Sequence, residues 1–218
     1  MVGDTKLDMT MMYAVHDALR RELVQISSTA ARLDDDPRRL LHTALGWELF
    51  KKFLNVHHTA EDVSVWPAVR AAAERHPDRL ALVDAMEAEH AKIDPLLAAV
   101  DEAVLDRDSG HQRLGDLVDT LTTELAAHLA HEESDGLALI DVSLTPEQWK
   151  HFSDDHRERI GDDAPRYLPW LLDKADTGRV AAILSKMPEK LVTAYRDVWG
   201  PGYALLDLWA SREKAATS

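Results

Sequence analysis

The chain has 218 residues, with 39 Asp and Glu against 25 Lys and Arg, a formal charge of −14, 11 His and no Cys. That balance excludes a nucleic-acid surface, which needs clustered Lys and Arg, and disfavours an anionic membrane for the same reason. The absence of thiols excludes disulfides, cysteine-ligated zinc or iron–sulfur sites and a cysteine nucleophile, and leaves imidazole as the conspicuous metal-binding group.

The apolar periodicity is helical throughout, with no sustained two-residue alternation that would suggest strands. A first helix is predicted over roughly 9–33, with Met9, His16, Leu23 and Ala30 on one stripe and Met12, Leu19, Ile26 and Leu33 beside it. Asp34, Asp35, Asp36 and Pro37 make a turn. A second helix is predicted over roughly 38–74, facing inward through Phe50, Phe53, Leu54, His57 and Glu61, with a kink or a new start at Pro67. The third, roughly 78–105, carries Val83, His90, Leu97 and Val104 at heptad spacing, with a local distortion expected at Pro95. The fourth, roughly 112–140, carries Leu114, Leu121 and His128 beside Val118, Leu125 and Glu132. Short turns between four such helices predict an all-α, up-down-up-down four-helix bundle over residues 1–142. Thr145 and Pro146 then open a C-terminal helical extension, residues 143–218, punctuated by Pro165, Pro169, Gly178 and Pro188 and expected to pack on the bundle. No leader segment and no apolar run of about 18 residues is present, so a soluble, cytoplasmic protein is expected.

Each long helix places one histidine on its apolar stripe: His16, His57, His90 and His128. Two of these begin a His-x-x-x-Glu motif, ending in Glu61 and Glu132, which aims an imidazole and a carboxylate at one point from successive turns. His16 and His57 lie about 20 residues either side of the first turn, and His90 and His128 about 19 either side of the third, so antiparallel packing brings each pair to one level; across the second turn, about 20 and about 13 residues, the match is less symmetric. A single histidine on such a stripe is usually a hydrogen-bonded core residue. Four of them with two carboxylates differ, because buried carboxylates are costly unless cations compensate them. Two bridging glutamates with terminal imidazoles suit a dinuclear iron or manganese centre better than single zinc or calcium.

The segments HDALRRE, HHTAEDVSVWPAV, MEAEHAKIDPLL and HLAHEE, spread over about residues 10–140, resemble the hemerythrin-like HHE cation-binding proteins. The resemblance implies a non-haem centre of two iron ions, oxo- or hydroxo-bridged, with terminal His16, His57, His90 and His128 and bridging Glu61 and Glu132. Manganese is the lesser alternative. Oxygen-carrying members have a His-x-x-x-His pair on the third helix, whereas here the positions four from His90 are Met86 and Asp94. One histidine is therefore missing unless His58 or Glu87 substitutes. His58 is expected to support the site or lie at the surface, Glu87 to orient the His90 ring, and Tyr13 to pack. His42, His76, His111, His131, His151 and His156 are expected to be solvated, as is the charged stretch 153–159. Trp170, Trp199 and Trp209 are expected in the core.

A site poorer in histidine leaves an exchangeable position for O2, H2O2 or NO, which favours reactivity such as peroxide decomposition or iron oxidation over oxygen storage. The other readings are a diiron oxidase or oxygenase with the extension as a lid, and a non-enzymatic iron or oxygen sensor. The sequence leaves the chain as monomer or homodimer, with no protein partner indicated.

Overall fold

The computed structural model describes residues 5–31, 36–38, 41 and 44–209. Among them there is no strand, and the architecture is an all-α, up-down-up-down bundle. Helix α1 (Thr10–Ala30), α2 (Leu45–Ser64), α4 (Pro77–Leu105) and α5 (Gly110–His131) are its long members. The expected stripes face inward: Met12, His16, Leu19, Leu23 and Ile26 from α1, and Leu114, Val118, Leu121, Leu125 and His128 from α5, are buried. Leu33 and His42, assigned above to a stripe and to solvent, lie outside the described residues.

The second predicted helix is broken. It stops at Val65, and Pro67 sits in the first turn of a short α3 (Trp66–Ala72), where a missing amide hydrogen costs nothing. Pro95, by contrast, is held inside an uninterrupted α4. At the other end of α4, Asp106 Oδ1 accepts from the amides of Asp108 and Ser109, closing a tight turn. Gly110 then starts α5 so close to the carbonyl of Ala103 that a side chain there would collide. The fourth predicted helix is also not continuous: after α5 comes a π-helical turn, Glu132–Gly136, then α6 (Leu137–Ser143).

The extension begins at Thr145 with a full capping box: Thr145 Oγ1 accepts from the Gln148 amide, and the Gln148 side chain accepts from the Thr145 amide. It continues through α7 (Pro146–Ile160), α8 (Ala164–Leu172), α9 (Thr177–Leu184), α10 (Glu189–Ala194), a second π turn (Tyr195–Trp199) and α11 (Gly200–Ala204). Apolar contact holds it to the bundle. Phe53 of α2 packs against the rings of Tyr167 and Trp170, at 5.0 and 4.9 Å between centroids. Arg21 of α1 donates to the carbonyls of Trp170 and Asp173, and Trp209 packs directly on Gly46. No helix among the described residues is long and apolar enough to cross a membrane.

Candidate metal centre

The four stripe histidines and the two motif glutamates meet at one level of the bundle. His16 and His57 approach to 3.2 Å between their Nε2 atoms, and His90 and His128 to 3.1 Å. Glu61 and Glu132 lie between the pairs: His57 Nε2 is 3.2 Å from Glu61 Oε1, His90 Nε2 is 3.5 Å from Glu61 Oε2, and His16 Nε2 is 3.1 Å from Glu132 Oε2. His16, Glu61 and Glu132 are 0% exposed.

The opposite ring nitrogens fix which atom points inward. His16 Nδ1 is bonded to Glu133 at 2.9 Å, His90 Nδ1 to Asp62 at 2.7 Å and His128 Nδ1 to Glu89 at 3.0 Å. A carboxylate that accepts from Nδ1–H leaves the Nε2 lone pair free and raises its basicity, as metal-binding histidines require. In the His90–His128 pair both rings are held in this way, so their Nε2 lone pairs face each other at 3.1 Å. Both oxygens of Glu61 and of Glu132 are buried without a hydrogen-bond partner. Unpaired buried carboxylates cost several kcal/mol each unless a cation compensates them.

Titration behaviour carries the same message. Burial, reinforced by the charge of Glu132, pushes Glu61 well above the usual carboxylate range. Burial and the neighbouring histidines push His57 and His58 well below the usual imidazole value, so both stay neutral. Burial opposes charge on His16 and Glu132, but their mutual contact outweighs it, raising His16 and lowering Glu132. Neutral His57 and His58 beside a Glu61 carboxyl short of a counter-charge fit a cation.

The donors sort into two groups. Atoms of His16, His57, Glu61 and Glu132 lie within 4.8 Å of one another, and so do those of His58, His90 and His128. His58 differs from expectation. It is buried, stacked on His90 at 4.0 Å between centroids, edge-on to His128, and its Nε2 has no partner. His57 and His58 fall into different groups because adjacent residues on a helix are about 100° apart.

Glu87 does not orient His90; it accepts from Arg70 at 2.8 Å, and Asp62 takes that place. Asp62, Glu89 and Glu133 were not singled out by sequence reasoning. Their signal is slight: each adjoins a site residue in sequence but serves a histidine on a different helix. His131 is partly buried and bonds Glu89 at 2.9 Å. His156 is half-buried, against the rings of Phe152 and Tyr167 and 6.3 Å from the His57 ring, so it does not lie on a solvated face. Tyr13 is half-buried beside the core, while His76, His111 and His151 are exposed.

A family model, the hemerythrin HHE cation binding domain, matches residues 8–140. The chain belongs to the hemerythrin HHE family. The matched span contains every element that contributes a donor, from His16 of α1 to Glu132 at the start of the π turn after α5. Comparison with curated proteins and with solved structures gives no match. Membership makes this HHE domain a cation-binding bundle; which cation, how many, and for what reaction are questions for its own side chains.

Proposed function

We propose that this HHE protein holds two iron ions and uses them to bind or react with a small oxygen-derived ligand: O2, peroxide or NO. The observation that carries the reading is the pair of buried, unpartnered carboxylates, Glu61 and Glu132, lying between facing imidazole nitrogens. One ion would be held by His16 and His57 and the other by His58, His90 and His128, with Glu61 and Glu132 supplying the carboxylates between them. His58 thereby supplies the imidazole that the third helix lacks. Mixed imidazole and carboxylate donors suit iron, and manganese less well, while an all-oxygen calcium cage and a thiolate zinc site are both absent from the chemistry.

Bound iron supplies one-electron redox chemistry and Lewis acidity toward an oxygen ligand. The protein's part is positional. Glu133, Asp62 and Glu89 hold the Nδ1 protons of His16, His90 and His128, so the rings cannot turn or change tautomer. Arg20 braces Glu133 at 2.8 Å. The surrounding apolar side chains, among them Leu19, Phe53, Met86, Leu125 and Leu129, are buried and exclude water. A redox protein is favoured over a substrate oxidase because the cleft touching the site is small, about 240 Å³, and its walls include Asp62, Glu87 and Asp94. An apolar organic substrate would find little to bind there.

The test is metal analysis of protein loaded anaerobically with iron(II), with an absorption spectrum before and after peroxide. Two irons per chain and a visible charge-transfer band are expected. His58→Ala is expected to lose one of the two irons, and Glu61→Ala to lose both. A chain that takes up no iron and stays colourless would sink the proposal.

A further inference from the structure

A buried dinuclear centre needs a path for its cations, and the exposure of its donors shows where the bundle opens. His16, Glu61 and Glu132 are 0% exposed and His57 and His128 are 1%, whereas His58 and His90 are each 6%. Those two histidines line the cleft of about 240 Å³ between α2 and α4. Helix α2 contributes Asp62 one turn after His58, and α4 contributes Glu87, Ala91 and Asp94 at successive turns around His90.

No Lys or Arg lines the cleft. Its carboxylates are not equivalent. Asp62 holds the His90 ring, Glu87 accepts from Arg70 at the rim, and Asp94 stands exposed at the lip. Between rim and centre stands His58, 6% exposed, with Nε2 lacking any hydrogen-bond partner. An exposed acid, an acidic wall and then an imidazole with an unpartnered nitrogen make a graded series of donors leading inward.

We propose that this cleft is the inlet through which a hydrated divalent cation, iron(II), reaches both buried positions. Asp94 and Glu87 draw the cation in, and His58 takes it from water. The inference rests on the dinuclear reading above. A cleft lined by one sign of charge between low-dielectric walls concentrates counter-ions and raises their on-rates on the order of 10- to 1,000-fold, an advantage that salt removes. The same walls give no such advantage to an uncharged ligand.

The test uses the full metal-free chain mixed rapidly with cobalt(II), whose absorption changes when imidazole replaces water. Uptake by the Asp94→Asn/Glu87→Gln double variant is expected to be about tenfold slower at low salt, with a flatter salt dependence and still two cobalt ions per chain at equilibrium. Ala91→Phe, which narrows the cleft, is expected to slow both uptake and release to a chelator. Both sets of changes lie on exposed positions or keep a hydrogen-bonding group, so the charge variant stays decisive even where the bulky one folds poorly. Uptake at the wild-type rate in the charge variant, with two cobalt ions bound, overturns the inlet and leaves the dinuclear reading standing. Unchanged uptake and release by a folded Ala91→Phe chain likewise overturns the inlet. A wild-type chain that never binds two cobalt ions overturns the dinuclear reading and the inlet together.

Discussion

Three carboxylates beside the donor groups decide how the imidazoles point. Asp62 follows Glu61, Glu133 follows Glu132 and Glu89 precedes His90, yet each reaches a histidine of a neighbouring helix. A residue next in sequence to a donor sits about 100° around the helix from it, which turns it away from its neighbour's target and toward the adjoining helix. His156 illustrates the opposite case, an imidazole with one ring nitrogen, Nε2, left without a partner. Burial lowers its pKa from the usual 6.5 to about 4, and its Nε2 has no hydrogen-bond partner. The unfolded chain therefore binds this proton more readily than the folded one between those values. The sign follows: the contribution of a neutral His156 is whole above about pH 6.5 and is lost as pH falls toward 4. Urea unfolding of His156→Phe across that interval is expected to show a shallower fall in stability with acid than the parent protein. An unchanged slope would refute the assignment.

The π-helical turn is the element on which the site depends most. At Glu132–Gly136 the ladder widens, and the amide of Leu137 bonds the carbonyl of Glu132 across five residues. The widened turn carries Glu132 into the core and Glu133 toward His16 and Arg20. Gly136 makes room for this geometry. A methyl group there would lie 2.9 Å from Glu132 Cγ and 3.5 Å from the Trp66 ring, and the buried Trp66 has nowhere to retreat. Gly136→Ala is expected to displace the Glu132 carboxylate and weaken metal binding about 10- to 100-fold, the usual cost of disturbing the surroundings of a metal site. Competitive titration with a chelator reads this directly, and helix content by circular dichroism should hardly change. An equal affinity would show that Glu132 does not depend on the turn.

At the scale of the whole molecule, the extension completes the core of the bundle. Trp170 is fully buried, its ring lies against Phe53 and Tyr167, and the Arg21 guanidinium lies over it at 5.6 Å. It lies outside the span matched by the family model, but its neighbours Phe53 and Arg21 lie within that span. Trp170→Ala is expected to cost about 3–5 kcal/mol in denaturant unfolding and to lower the stability of the bundle and extension in a single transition. Two separate transitions, with the bundle unaffected, would make the extension an independent appendage. The opposite end of the extension is fixed by the Gly46 amide bonding to the Leu208 carbonyl at 2.7 Å and by Trp209 Nε1 donating to Glu22 at 3.1 Å.

Periodicity and register alone determined the four long helices, their inward faces and the level at which His16, His57, His90 and His128 meet. These follow from the fixed rise and turn of a helix and from the cost of leaving apolar stripes in water. The break at Pro67 was legible for the same local reason, a proline that cannot continue the hydrogen-bond ladder. Tertiary structure alone decided the rest. His58 sits on the shoulder of the α2 stripe, and only the approach of α4 and α5 buries it against His90 and His128. His156 looks like one more residue on a charged face until α8 folds over it. Asp62, Glu89 and Glu133 acquire their roles across helix boundaries, where sequence spacing carries no distance. The π turn arises because the chain must satisfy Glu132, Glu133 and the close packing at Gly136 together, a demand set by the assembled bundle and not by any one helix.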